Sequence, residues 1–245
     1  MINIQQLNIV KANKPILYID SLQLPAQGAI ALIGPNGSGK STLLKSLVGI
    51  QPLNPSAQLL LNQQSFASYS HHQRAQLLGY IPQSFNPCWN QTVTELMRLA
   101  NQRSPVSMHS INSIYQEFEL TTLLTHHWDT LSGGEKARVL AAMAYLGTPP
   151  ILIADEPGAA LDIKHRLQLI KQLVTYGEQQ LAIICLHELD LVFRYFEQVI
   201  LLNKGQLVFF GKTHDLLNNP LLDKTFNVQF KRIKQRNMTL LYPEL

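Results

Sequence analysis

The stretch "AIALIGPNGSGKSTLLKSLVGI" (29–50) sets an apolar run, a glycine-rich loop and a helical pattern in immediate succession. Its middle, "GPNGSGKS", fits G-x-x-x-x-G-K-[ST], and a strand before and a helix after are the setting that motif requires. Gly34, Gly37 and Gly39 let the loop fold tightly enough to aim several backbone N–H groups inward. The helix start adds partial positive charge. The whole loop, Gly34, Pro35, Asn36, Gly37, Ser38, Gly39, Lys40, Ser41 and Thr42, is therefore expected to cradle nucleotide phosphates. Lys40 would supply a full charge to the terminal phosphates, and the Ser41 hydroxyl would ligate Mg²⁺.

Outward from this stretch, "ILIA" (151–154), "LAIICL" (181–186) and "QVILL" (198–202) are further continuous apolar runs, as expected of strands covered on both faces. Helical patterns adjoin them at "STLLKSLVGI" (41–50) and "DIKHRLQLIKQLVTYG" (162–177). In the second, Leu167, Ile170, Leu173 and Val174 share a face and Gly177 suits a stop. The rhythm predicts an α/β fold: a phosphate-loop NTPase core with a mostly parallel sheet. Residues 2–24 alternate apolar and polar around a turn-like "KANKP", which predicts a small N-terminal antiparallel β subdomain. Residues 84–147 read as an inserted helical lobe, with helices around "TVTELMRLA", "INSIYQEFELTTLL" and "GGEKARVLAAMAYLG". The expected organisation is one domain, with a core of 1–83 and 148–245 and a lobe of 84–147.

A chain of 245 residues can bury one substantial core, and 46% apolar against 15% charged residues excludes a disordered one. The net charge of +4 is mild. The densest basic group, "FKRIKQR" (230–236), reads as a solvated face, so no nucleic-acid partner is expected. Cys88 and Cys185 match neither a zinc spacing nor a disulfide framework, which points to a reducing compartment. No apolar run approaches the roughly 20 residues that span a bilayer. The start "MINIQQLNIVKANK" lacks the pattern of a secretory signal. A cytoplasmic protein that meets membranes through partners is expected.

"ILIADEP" (151–157) puts two carboxylates at the C-terminal end of a buried strand, where open α/β sheets bind ligands. Asp155 is placed to hold Mg²⁺ through its water shell, and Glu156 to polarise an attacking water. "AIICLHELD" (182–190) leaves His187 just past another strand, placed to contact the γ-phosphate. The pairs His71-His72 and His126-His127 have no third ligand in view. "DTLSGGEKARVLAAMAYLG" (129–147) opens a second helix on bare backbone, for which one chain holding one nucleotide has no use. The arrangement makes sense if Ser132, Gly133 and Gly134 close over a triphosphate gripped by Lys40 of a second copy. Two ATP molecules would then glue a head-to-tail pair, and hydrolysis would release it.

The ordered set "GPNGSGKST", "YIPQ" ending at Gln83, "LSGGE", "ILIADEP", "ALD" ending at Asp162 and "LHE" with His187 resembles the ATP-binding-cassette (ABC) ATPase family, over essentially the whole chain. The resemblance implies an obligate dimeric motor with Glu156, His187, Gln83 and Lys40 as its catalytic set. It implies that Gln83 contacts the metal and the attacking water at the hinge to the helical lobe, and that Asp162 helps set the dimer interface. The sequence departs from the family pattern at three places. Lys11 stands where many members stack an aromatic ring on adenine, with Tyr18 out of register, so only modest selectivity for adenine is expected. "GAA" (158–160) replaces small hydroxyl residues, and Glu135 stands where glutamine is commoner.

A stand-alone cassette is the usual importer layout. "ALDIKHRLQLIKQL", "LHELDLVFRYFEQVILLNKGQLVFFGKTHDLL" and "LLDKTFNVQF" resemble the ATPases of iron-siderophore, haem and cobalamin importers. The partners implied are a second copy, two integral-membrane permease subunits and, indirectly, a substrate-binding protein, on the inner face of the cell membrane. An ATPase of a zinc, manganese or molybdate importer and a nucleotide-dependent regulator stay open as alternatives. In "SFNPCWNQTVTEL" (84–96), Trp89 and Phe85 either dock the permease or pack the lobe's core.

Overall fold

The computed structural model describes residues 1–235 and 238–244. A hairpin of β1 (Ile2–Lys11) and β2 (Lys14–Leu24) leads to β3 (Gly28–Ile33), α1 (Lys40–Leu47), β4 (Gln58–Leu61) and β5 (Gln64–Ser65). Then come α2 (His71–Leu77), β6 (Leu78–Ile81), α3 (Val93–Arg103), α4 (Met108–Glu117), α5 (Gly133–Tyr145) and β7 (Ile151–Asp155). The chain continues through α6 (Ile163–Gly177), β8 (Leu181–Cys185), α7 (Leu189–Tyr195), β9 (Gln198–Asn203) and β10 (Gln206–Lys212). It closes with α8 (Thr213–Leu217), α9 (Pro220–Phe226) and the hairpin of β11 (Gln229–Gln235) and β12 (Met238–Glu244). Among the described residues no helix is long and apolar enough to cross a membrane. The chain divides into two compact units, Met1–Ser68 with Leu173–Leu245, and Tyr69–Gln172.

In the first unit the strands lie in the order β5-β4-β1-β2-β10-β9-β3-β8. β3 runs parallel to β8 on one side and to β9 on the other, with Leu32 opposite both Cys185 and Ile200. Ile30 to Ile33 and the whole of β8 are buried, which is why these runs do not alternate. The β1–β2 hairpin does alternate, with Ile2, Ile4, Leu7 and Ile9 buried opposite Leu24, Leu22, Ile19 and Leu17. Its alternation breaks at Gln6 (φ 49°), where both strands change face together and the register is kept, and the register shifts between Ile9 and Val10 near the turn. β10 is antiparallel to β9 and meets β2 through the parallel pair Gln206 and Tyr18, so the antiparallel strands continue the parallel ones in one sheet.

Gly177 belongs to α6 and is not in the left-handed conformation of a helix stop. Its role is close approach: a Cβ there would lie 2.5 Å from Ala29 N and 2.8 Å from Ala29 Cβ. In the basic group at the C-terminal hairpin, Arg232 pairs with Asp223 and Lys231 is largely exposed, while Arg236 lies outside the described residues.

The second unit holds α2 to α5 with the parallel pair β6–β7, from Leu78 opposite Ile151 to Ile81 opposite Ala154. The division by compactness thus takes in more than residues 84–147, because the ladder ties β6 and β7 together. α3 opens on a capping box, in which the Thr92 hydroxyl accepts from Glu95 N and the Glu95 carboxylate accepts from Thr92 N. The helix expected across 111–124 stops at Glu117. Glu119 is left-handed (φ 53°), Leu120 N donates to Tyr115 O at 2.7 Å and Glu119 N to Gln116 O at 3.2 Å, a Schellman helix end. Arg103, on α3, donates to the carbonyls of Met143, Ala144 and Leu146 at the end of α5 and joins the two helices.

Candidate functional site

The phosphate loop leaves β3 at Ile33. Gly34 is irreplaceable there, because a Cβ would collide with Leu202 O and stand 2.7 Å from Ser38 Oγ. Gly39 has φ 99° and is covered by Leu17 and Ile16 of β2. Lys40 is buried, and its ammonium donates to Gly34 O at 2.8 Å and Pro35 O at 3.1 Å. With three donors on an ammonium, one is left for an anionic oxygen. Gly39 offers α1 no side-chain cap, and its first turn has no acidic residue, so backbone N–H groups are available at its tip. Ser38 Oγ is buried without a hydrogen-bond partner. A bare helix start, an unmatched buried hydroxyl and a lysine folded over them fit the phosphates of a nucleotide.

Ser41 and Thr42 are half-buried on the first turn of α1, while Asn36 is exposed on the loop. His187 is exposed just beyond β8. Leu186 N donates to Leu32 O at 3.2 Å, so His187 and Gly34 leave the same end of adjacent parallel strands. Lys11 is exposed at the tip of the β1–β2 hairpin. Tyr18 is also exposed, with its N–H on Gly205 O at 2.6 Å.

The remaining sequence-chosen residues lie in the second unit. Asp155 ends β7 at 1% exposure, and a carboxylate that deeply placed requires compensating charge or hydrogen bonds. Glu156 follows in the left-handed region (φ 53°), which costs about 1–2 kcal/mol for a residue with a Cβ. Gln83 Nε2 donates to its Oε2 at 2.9 Å. A cleft of about 220 Å³ brings Gln83, Glu156 and Gly133 together.

Ser132 is the N-cap of α5 and, with Glu135, completes a capping box. Ser132 N and Ser132 Oγ both donate to Glu135 Oε2 at 2.8 Å, and Glu135 N donates back to Ser132 Oγ at 3.3 Å. Those hydrogen bonds, the backbone one foremost, hold the Glu135 carboxyl below the usual range. Sequence reading noted Glu135 only as a departure, although S-x-x-E before an apolar helix is the signature of such a box. Gly133 and Gly134 lie against Ala160.

Asp162 is exposed, and its carboxylate accepts from His165 N at 2.9 Å, capping α6. His165 lowers its pKa, through the backbone hydrogen bond first. His165 also meets Glu119, which pairs with Arg138 at 3.2 Å. Phe85 and Trp89 part ways. Phe85 packs edge-on against the buried Trp128, with ring centroids 5.4 Å apart, whereas Trp89 is 76% exposed.

Residues 18–159 match the ABC transporter family. The hemin import ATP-binding protein of Shewanella denitrificans is 31% identical over 98% of this chain and 100% of its own length. The vitamin B12 import ATP-binding protein of Photobacterium profundum is 31% identical over 94% of this chain and 95% of its own. Among solved structures, an ATP-binding subunit of an ABC transporter has a TM-score of 0.79 over 93% of both chains at 24% identity. A dimeric bacterial ABC transporter cassette reaches 0.77 over 87% of this chain and 99% of its own at 22% identity, a likeness of fold. The chain belongs to the ABC transporter family and is an ATPase.

Proposed function

We propose that this chain is the ATP-hydrolysing subunit of an importer for an iron chelate, haem or cobalamin. It works as a head-to-tail dimer on the inner face of the cell membrane, beneath two permease subunits supplied by a substrate-binding protein. The observation that carries the reading is the phosphate loop, with its uncapped helix start, its partnerless buried Ser38 hydroxyl and Lys40 held across its carbonyls. The names of the hemin and vitamin B12 import relatives support the class of cargo.

In this reading the backbone of Gly34 to Thr42 takes the phosphates of ATP and Lys40 balances their charge. Ser41, Gln83 and Asp155 are assigned to Mg²⁺, which when bound spreads the charge of the terminal phosphates. Glu156 accepts the proton of the attacking water, and Gln83, already on its carboxylate, aligns that water. His187 contacts the γ-phosphate. Ser132, Gly133 and Gly134 of the second copy close over it, with Asp162 at the interface. Residues 84–147 act as the lobe that transmits closure to the permease, through exposed Trp89.

The test is Glu156→Gln. General-base contributions of about 10²–10⁴ set the expected fall in turnover, with ATP binding kept and a stable dimer seen by light scattering in ATP and Mg²⁺. A variant that stays monomeric under those conditions, or one that hydrolyses ATP normally, overturns the reading.

A further inference from the structure

We infer that Arg166 is a positioning residue of the hydrolytic reaction: its guanidinium, in the room left by Gly158, holds the loop that aims Glu156. The inference rests on Glu156 being the base. Between Glu156 and Asp162 the side chains are Pro157, Gly158, Ala159, Ala160 and Leu161, none of which can donate or accept a hydrogen bond. The loop's backbone bonds include Ala159 N to Glu156 O at 3.3 Å and Leu161 N to Gly158 O at 3.1 Å. The side chains of residues 157–161 thus contribute no hydrogen bond toward keeping Glu156 in a left-handed conformation.

Arg166 supplies what is missing. It sits on the first turn of α6, fixed by its N–H on Asp162 O at 2.9 Å. From there Nε donates to Gly158 O at 3.0 Å and Nη2 to Leu161 O at 3.1 Å, so one planar group spans the loop with charge-assisted bonds. Gly158 is not in the left-handed region, so backbone freedom does not explain it. Space does. A Cβ on residue 158 would lie 2.8 Å from Arg166 Cγ and 3.5 Å from Cδ. The glycine and the arginine therefore belong together, and they replace the hydroxyl side chains that "GAA" lacks. A lysine has no fork with which to reach both carbonyls.

The experiment compares Arg166→Ala, Arg166→Lys, Gly158→Ser and the double variant Gly158→Ser/Arg166→Ala in the full chain, with Glu156→Gln in parallel. Arg166→Ala should lower kcat about tenfold or more, because a small misplacement of a base is enough for that. Binding of a fluorescent ATP analogue should stay within about twofold, since the phosphate loop is unaltered. Arg166→Lys should recover only part of the loss. Gly158→Ser should also be slow, yet the double variant should fall no lower than Arg166→Ala alone, because removing the arginine frees space for the serine. Independent losses in the double variant, an unchanged kcat for Arg166→Ala, or equal losses of kcat and nucleotide binding would each overturn the proposal. An active Glu156→Gln removes the base assignment and this inference with it. An inactive Glu156→Gln beside a fully active Arg166→Ala overturns this inference alone.

Discussion

Glu156 and Glu135 are carboxylates set by opposite means. Glu156 stands on a strained backbone, and one of its oxygens accepts from the Gln83 amide. Glu135 is tied into the start of α5 by its own turn and stays ionised there. A negative charge at the tip proposed to face a triphosphate works against association. Glu135→Gln keeps an acceptor for the capping box and removes that charge. It should lower the ATP concentration for half-maximal dimerisation of the Glu156→Gln background roughly fivefold, about 1 kcal/mol for an exposed charge pair, and lower Tm slightly, since the depressed carboxyl contributes stability that a neutral amide does not. Light scattering across an ATP titration, with a parallel melt, checks both. The two carboxylates at the end of β7 were legible because "ILIADEP" couples an apolar strand to acidic residues. The left-handed φ of Glu156 was not, since glutamate has no local preference for it and residues further along the chain impose it.

Among the elements, α9 and β11 are joined by Asp223, which accepts from Phe230 N at 2.6 Å and from both terminal nitrogens of Arg232. Arg232 is also the main cause of the depressed Asp223 pKa. A depressed carboxyl contributes stability above its unfolded value of about 3.9 and loses it as pH falls through the folded value. Asp223→Asn should therefore cost about 1–2 kcal/mol at neutral pH, and the difference in Tm from the parent should close as the pH is taken below about 4. A calorimetric pH series would show it, and a gap that widened in acid would contradict the assignment. Periodicity found α6 and its last residue but misjudged Gly177, whose need for a bare Cα comes from β3, far away in sequence. It overran α4 for a similar reason. Apolar positions 118, 120 and 123 continue the helical spacing but are buried from a turn.

For the molecule as a whole, the sequence motifs gave the family and the parallel strands. They did not show that the strand carrying Asp155 pairs with Leu78–Ile81 in a unit of its own, because ladder pairing leaves no local mark. Trp89 belongs at this scale. So large and exposed a ring adds little to folding, and Trp89→Ala should shift stability by under about 0.5 kcal/mol. In proteoliposomes with the proposed permease it should cut transport at least about tenfold, as loss of a central aromatic anchor does, while the isolated chain keeps its ATPase rate. A variant that fails to fold would place Trp89 in the core instead. The two helix tips, finally, are unequal: α1 has no cap of its own, whereas α5 satisfies itself with Ser132 and Glu135. A solitary copy can thus be charged with its fuel while its second tip remains content without a neighbour. In the proposed dimer, loading and clasping are therefore separate events.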